Sequence, residues 1–202
     1  LELEYSEQLE GTFDILPTGE IRDEPGVHLD ERQRLHRTEI VSAIRHREAS
    51  GISPAEAVEG FTRELAFTTL NRFVALKMLE ARKLVPECVS RGEQSLGFRE
   101  YGGLAPGLSD LPDNGYRSYI ESLFDEIGIE VKVLFDRRDP TSLLWPRRQA
   151  LTELLNILND DGLDDAWGED ETIGWIYQYF NPKEERYAMR KASRSPRNTR
   201  EL

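Results

Sequence analysis

Five groups of residues in this 202-residue chain could do chemistry: three histidines, one cysteine, a glycine run, an aromatic cluster and a basic segment. His28, His36 and His46 lack the i, i+4 spacing of a helical metal pair. Zinc requires about three or four converging ligands, so no metal site is read from them. Cys88 is the only cysteine, so no internal disulfide can form, and no sequence signal supplies a base to activate it. Gly102-Gly103-x-x-x-Gly107 has the glycines of a phosphate-binding loop. It lacks the following Lys-Ser/Thr and the strand-to-helix setting that would aim backbone amides at a phosphate. Trp175, Tyr177, Tyr179 and Phe180 could stack on bases. Clusters of this kind more often anchor a core or an interface, and the acids at 160–171 would repel DNA beside them.

Charge is distributed unevenly. The net charge is −12, the wrong sign for a simple nucleic-acid binder. Residues 1–30 hold one base, Arg22, apart from His28, and residues 159–171 hold none. The sign reverses at the C-terminus, in Lys183, Arg186, Arg190, Lys191, Arg194, Arg197 and Arg200. These seven are the candidate DNA contacts. Lys183, Arg186 and Arg190 fall roughly on one face of a short helix, and the others continue the charge into a tail. The competing expectation is that they pair with the acidic 160–171 stretch.

The elements that would position these residues are read from periodicity. Residues 1–27 read as an arm, with Gly11–Leu16 as a short strand and Pro17–Glu20 as a turn into Ile21, a β hairpin that must dock on something larger. Residues 29–49 read as a charged helix with a thin apolar stripe. Ser53-Pro54-Ala55-Glu56 is a strong helix start, and the helix it opens, 54–83, is apolar on almost every side. Such a helix is central. Residues 85–114 read as a long connection, and Tyr116, Tyr119, Ile120, Leu123, Phe124 and Ile127 specify a helix over 115–127. Ile129–Phe135 alternates as a strand does, with a helical turn as the alternative. Residues 141–159 and 182–191 complete the helices, the last opened by Asn181-Pro182. The fold class expected is therefore mainly α: an irregular helical domain around a central buried helix. The division is an arm, 1–27, a helical domain, 28–181, and a basic helix and tail, 182–202. No apolar run approaches the roughly 18–20 residues that span a bilayer, and no signal peptide is read, so a cytoplasmic protein without membrane contact is expected. The chain opens at Leu1 rather than Met, which suggests part of a longer protein.

Two blocks carry a resemblance. Asp170-Glu-Thr-Ile-Gly174-Trp175-Ile-Tyr177-Gln-Tyr179-Phe180-Asn181-Pro182 resembles a D-E-x-x-G-W-x-Y-Q-Y segment of the large adenine-N6 DNA methyltransferases of bacterial phage defence. Phe67-Thr-Thr-Leu-Asn71-Arg72-Phe-Val-Ala75-Leu76-Lys77-Met-Leu-Glu80 is similar to the buried helix of the same proteins. The likeness is strongest to the BREX type and weaker to DISARM-type and fused restriction-modification enzymes, and it does not extend convincingly to residues 1–50. It implies a non-catalytic N-terminal helical region that supports a methylase core lying C-terminal to it. DNA would be met through the whole enzyme, and other defence-system proteins are possible partners. S-adenosylmethionine would bind outside this chain. Adenine methyltransferases hold a flipped base in an Asn/Asp-Pro-Pro-Tyr/Phe loop. Here Asn181-Pro182 is followed by Lys183 and Glu184, with neither a second proline nor a stacking aromatic, so it reads as a helix cap. No catalytic or cofactor-binding residue is assigned. The alternative reading is an acidic helical interaction module or a DNA mimic, which the −12 charge favours.

Overall fold

In the computed structural model, residues 1–129, 131–169 and Thr172 are described. Seven α-helices organise them: α1 (Glu2–Phe13), α2 (Glu31–Glu48), α3 (Pro54–Ala81), α4 (Leu96–Leu104), α5 (Tyr116–Ile127), α6 (Lys132–Phe135) and α7 (Arg148–Leu158). Short 3-10 turns link them, and there is no strand among the described residues.

The axis is α3. Its start is a full capping box, with Ser53 accepting from the Glu56 amide, Glu56 accepting from the Ser53 amide, and Pro54 in the first turn. At 28 residues it is about 42 Å long. Two apolar clusters share it. Around its first half, Ala57, Val58, Phe61, Leu65 and Ala66 pack with α1, α2 and Leu144. Around its second half, Phe73, Val74, Leu76 and Met78 pack with residues of α5, α7 and the segment 88–98. One rod threading two clusters must be apolar nearly all round, as the sequence of 54–83 indicated.

The N-terminal region corrects the expectation of a β hairpin. Residues 2–13 are helical because Tyr5, Leu9 and Phe13 repeat at i, i+4, i+8 and all three are buried. That stripe, set among Leu, Glu and Gln, overrides the local alternation of 11–16. Asp14 ends the helix in the left-handed region at φ 55. What remains of the hairpin is a single antiparallel bridge, Ile15 to Ile21. The turn inside it rests on the start of α3, where a Cβ on Gly19 would meet the Pro54 side chain at 2.4 Å. Residues 13–22 are fastened by Arg37 of α2, which is buried and donates to the Phe13 carbonyl at 2.7 Å and to the Arg22 carbonyl.

Other boundaries shift for local reasons. Between 129 and 135 the helical turn prevails over the strand: α6 places Phe135 against Phe124, with ring centroids 5.3 Å apart. The helix expected over 141–159 begins only at Arg148, because Pro146 disfavours helical backbone in the residue before it. The connection 85–114 contains α4, capped by the Ser95 side chain, which accepts from the Phe98 amide. Asn71 is half-buried, while Arg72 beside it is buried and hydrogen-bonded. No helix among the described residues is long and apolar enough to cross a membrane.

A candidate nucleic-acid interface

Three charged residues of α3, the buried Arg72 and Lys77 and the half-buried Glu80, position its surroundings. Arg72 donates to the carbonyls of Leu134 and Asp136, at 2.7 and 3.1 Å, and to Ser142 Oγ at 2.8 Å. Its guanidinium also lies over the Phe124 ring, 5.5 Å from the centroid. Lys77, 8% exposed, donates to Ser90 Oγ at 2.8 Å and to Asn159 Oδ1 at 2.6 Å. Glu80 accepts the amides of Cys88 and Val89 at 2.7 and 2.6 Å and also bonds the Ser90 hydroxyl. Asn159 returns through Nδ2 to the Val89 carbonyl at 3.0 Å. The loop 88–90 and the end of α7 are thus tied to α3 by charged groups.

Above this network opens a groove of about 980 Å³ between the start of α2, the 90–94 turn, the start of α5 and the length of α7. Five arginines line it: Arg32, Arg91, Arg117, Arg147 and Arg148. Three acids, Glu93, Asp113 and Glu121, share the lining. All three are engaged within the fold, Glu93 by Arg148 and Asn114. Asp113 accepts the amides of Gly115 and Arg117 at 3.1 and 3.0 Å. Glu121 is bonded by both Arg117 and Arg137 at 2.7 Å.

The arginines are held to different degrees. Arg117 lies over the Trp145 ring, 5.4 Å from the centroid. Trp145 is itself fixed by its carbonyl, which accepts from Gln8 at 2.9 Å, and by its ring against Phe73 at 5.7 Å. Arg148 bonds Glu93 at 2.9 Å. Arg147 approaches Glu7 at 3.6 Å and Glu4 at 3.8 Å, and Arg91 approaches Glu87 at 3.8 Å. The contacts of Arg147 and Arg91 are long, and their guanidiniums are exposed, so these pairs contribute little. Arg32 has no ion pair among the described residues. At the rim, Arg147 is the N-cap of α7, and its amide is accepted by the Glu4 carboxylate at 2.9 Å, so an acid already stands at the positive end of this helix.

Local electrostatics agree with this arrangement. The pKa of His36 is lowered, first by burial and then by Arg32 and Arg117, against the weaker pull of Glu39 and Asp30. Burial pushes the Cys88 thiol up, and the neighbouring Glu80 carboxylate adds to the effect, so the sulfur is a poor thiolate.

The residues singled out from sequence are distributed as follows. His28 bonds the Thr12 carbonyl at 2.9 Å, while His36 and His46 lie along α2. Gly102 and Gly103 sit at the end of α4, where no strand leads into them. Lys183, Arg186, Arg190, Lys191, Arg194, Arg197 and Arg200 lie outside the described residues, as do Trp175, Tyr177, Tyr179 and Phe180. Of the 170–182 block only Thr172 is described, buried and bonded to the Ala166 carbonyl. The groove is not visible in the linear sequence because its arginines come from four separated segments. No family model matches the chain, nor does any curated protein or solved structure.

Proposed function

We propose that this chain is the non-catalytic N-terminal helical region of an adenine-specific N6 DNA methyltransferase, of BREX type or a related phage-defence or restriction-modification type. One observation carries the reading beyond the motif itself. The polar residues of the 67–80 block, Arg72, Lys77 and Glu80, are the ones that fasten α6, the 88–90 loop and α7 to the central helix. Within a buried helix, polar positions are costly unless each makes specific bonds. Arg72, Lys77 and Glu80 of this block therefore serve as the scaffold's internal joints rather than as chemistry.

In that role the region supplies a rigid helical platform. The methylase core and S-adenosylmethionine belong to the remainder of the enzyme, and DNA and other defence proteins are met through the assembled whole. The sequence of the reading frame after Leu202 tests this. A strand followed by a glycine-rich loop, and an Asn-Pro-Pro-Tyr/Phe element, are expected downstream. A frame that closes without them, or that encodes unrelated chemistry, overturns the proposal. The second reading, an acidic interaction module or DNA mimic, requires carboxylates left open to a partner. Many here are already engaged, as Glu121 and Asp125 are with Arg137, and Glu59 is with Arg63.

A further inference from the structure

We infer that the arginine-lined groove between α2, α5 and α7 is a binding site for the sugar-phosphate backbone of duplex DNA, and that the folded helical region itself touches DNA. The choice of DNA over another polyanion rests on the methyltransferase reading. The choice of an anion rests on the groove alone.

Three observations converge on it. First, the sign of the groove runs against the chain. A protein of net charge −12 places five arginines and three acids around one groove; Glu121 pairs with Arg117 and Arg137, Glu93 pairs with Arg148, and Asp113 accepts amides of its own turn, which leaves Arg32, Arg91 and Arg147 held loosely or by no carboxylate. Second, the cations are all guanidiniums, whose planar forks match phosphate oxygens in pairs. Third, several of them are poorly matched by the fold. Arg91 and Arg147 hold carboxylates only at 3.6–3.8 Å, and Arg32 pairs with none among the described residues. A bound phosphate would replace loose contacts at small cost.

The groove is also built to keep its shape. Trp145 is clamped between Phe73 and the Arg117 guanidinium, and Lys77 holds the floor through Ser90 and Asn159. A preformed cationic groove of this kind positions a duplex without reading its sequence. Recognition of the target adenine is left to the rest of the enzyme.

The test uses the 202-residue chain and a short fluorescein-labelled duplex, titrated by anisotropy at several salt concentrations. Arg32→Glu with Arg91→Glu is the groove variant. Arg34→Glu with Arg99→Glu, two exposed arginines outside the groove, is the control with the same change of net charge. Thermal melts establish that each variant is folded, and Arg32→Gln with Arg91→Gln replaces the groove variant if charge reversal prevents folding. The expected result is a loss of about tenfold or more in affinity and a salt slope shallower by about 2 for the groove variant, with a much smaller change in the control.

Equal losses in both variants would reduce the effect to bulk charge and overturn the site. So would binding that vanishes only with Arg190→Glu and Arg194→Glu, or a failure of the wild-type chain to bind duplex at low salt. Tighter, arginine-dependent binding of polyglutamate than of duplex would reassign the groove to an acidic protein. Methyl transfer by the product of the whole reading frame is measured alongside. If it persists while the groove variant binds normally, the groove fails and the methyltransferase reading stands.

Discussion

Lys77 and Glu80 stand one helical turn apart on α3 and meet through a single hydroxyl. Lys77 Nζ donates to Ser90 Oγ at 2.8 Å, and that hydroxyl in turn donates to the Glu80 carboxylate. An ammonium and a carboxylate that could have paired directly instead hold the 88–90 loop between them, and Lys77 reaches on to Asn159 at the end of α7. This arrangement converts the charges of a buried helix into the floor of the arginine groove.

Removing Glu80 should loosen that loop first. Its pKa is pushed up by burial but pulled further down by hydrogen bonds from Ser90, Cys88 and Val89, so it lies below the ordinary 4.5. A depressed carboxylate stabilises the fold fully above its unfolded value, and that contribution is lost as pH falls through the folded one. Glu80→Gln should therefore flatten the acid side of the stability profile below about pH 4.5. At neutral pH it should cost about 1–2 kcal/mol in urea unfolding. An unchanged acid limb would show that the carboxylate is not engaged as described.

Phe73, 1% exposed, lies in the second half of α3 and supports Trp145. Phe73→Ala should cost about 3–5 kcal/mol, measured by chemical denaturation. A loss under about 1 kcal/mol would place α3 at the periphery.

Arg72→Leu should cost about 2–3 kcal/mol, because the carbonyls of Leu134 and Asp136 lose their donor inside the fold. Arg72→Lys should recover part of this only, since an ammonium cannot span both carbonyls and Ser142 with a planar fork. Full recovery by lysine would reduce the role of Arg72 to its charge.

His36 reports on the groove's field. Its folded pKa is below the ordinary 6.5, so the unfolded chain binds the proton more readily, and stability declines as pH falls below about 6.5. Arg32→Glu replaces a repelling charge with an attracting one and should raise the His36 pKa in an NMR titration. No movement would mean that Arg32 and His36 are electrically remote.

The sequence carried much of this fold because long, periodic segments announce themselves. The Ser53 capping box and the apolar circumference of 54–83 specify α3, and the Tyr116–Ile127 stripe specifies α5. The first helix is hidden in the sequence because a short alternation at 11–16 competes with Tyr5, Leu9 and Phe13, whose spacing becomes decisive only when α3 is there to bury them. Arg37 was equally hidden: nothing local shows that a charged residue on a thinly apolar helix will close over the carbonyls of Phe13 and Arg22. The groove was illegible for a topological reason. Arg32, Arg91, Arg117 and Arg147 meet only after three helices pack, whereas the basic run at 183–200 is visible to any linear scan.

We propose above that this helical region belongs to an adenine methyltransferase. The most direct measurement is transfer of the labelled methyl group of S-adenosylmethionine to unmethylated duplex DNA by the product of the whole reading frame, with the methylated base identified by mass spectrometry. N6-methyladenine is the expected product, formed by the whole enzyme and not by the 202-residue chain alone. Absence of methyladenine, methylation of cytosine instead, or transfer by the 202-residue chain by itself would contradict the claim.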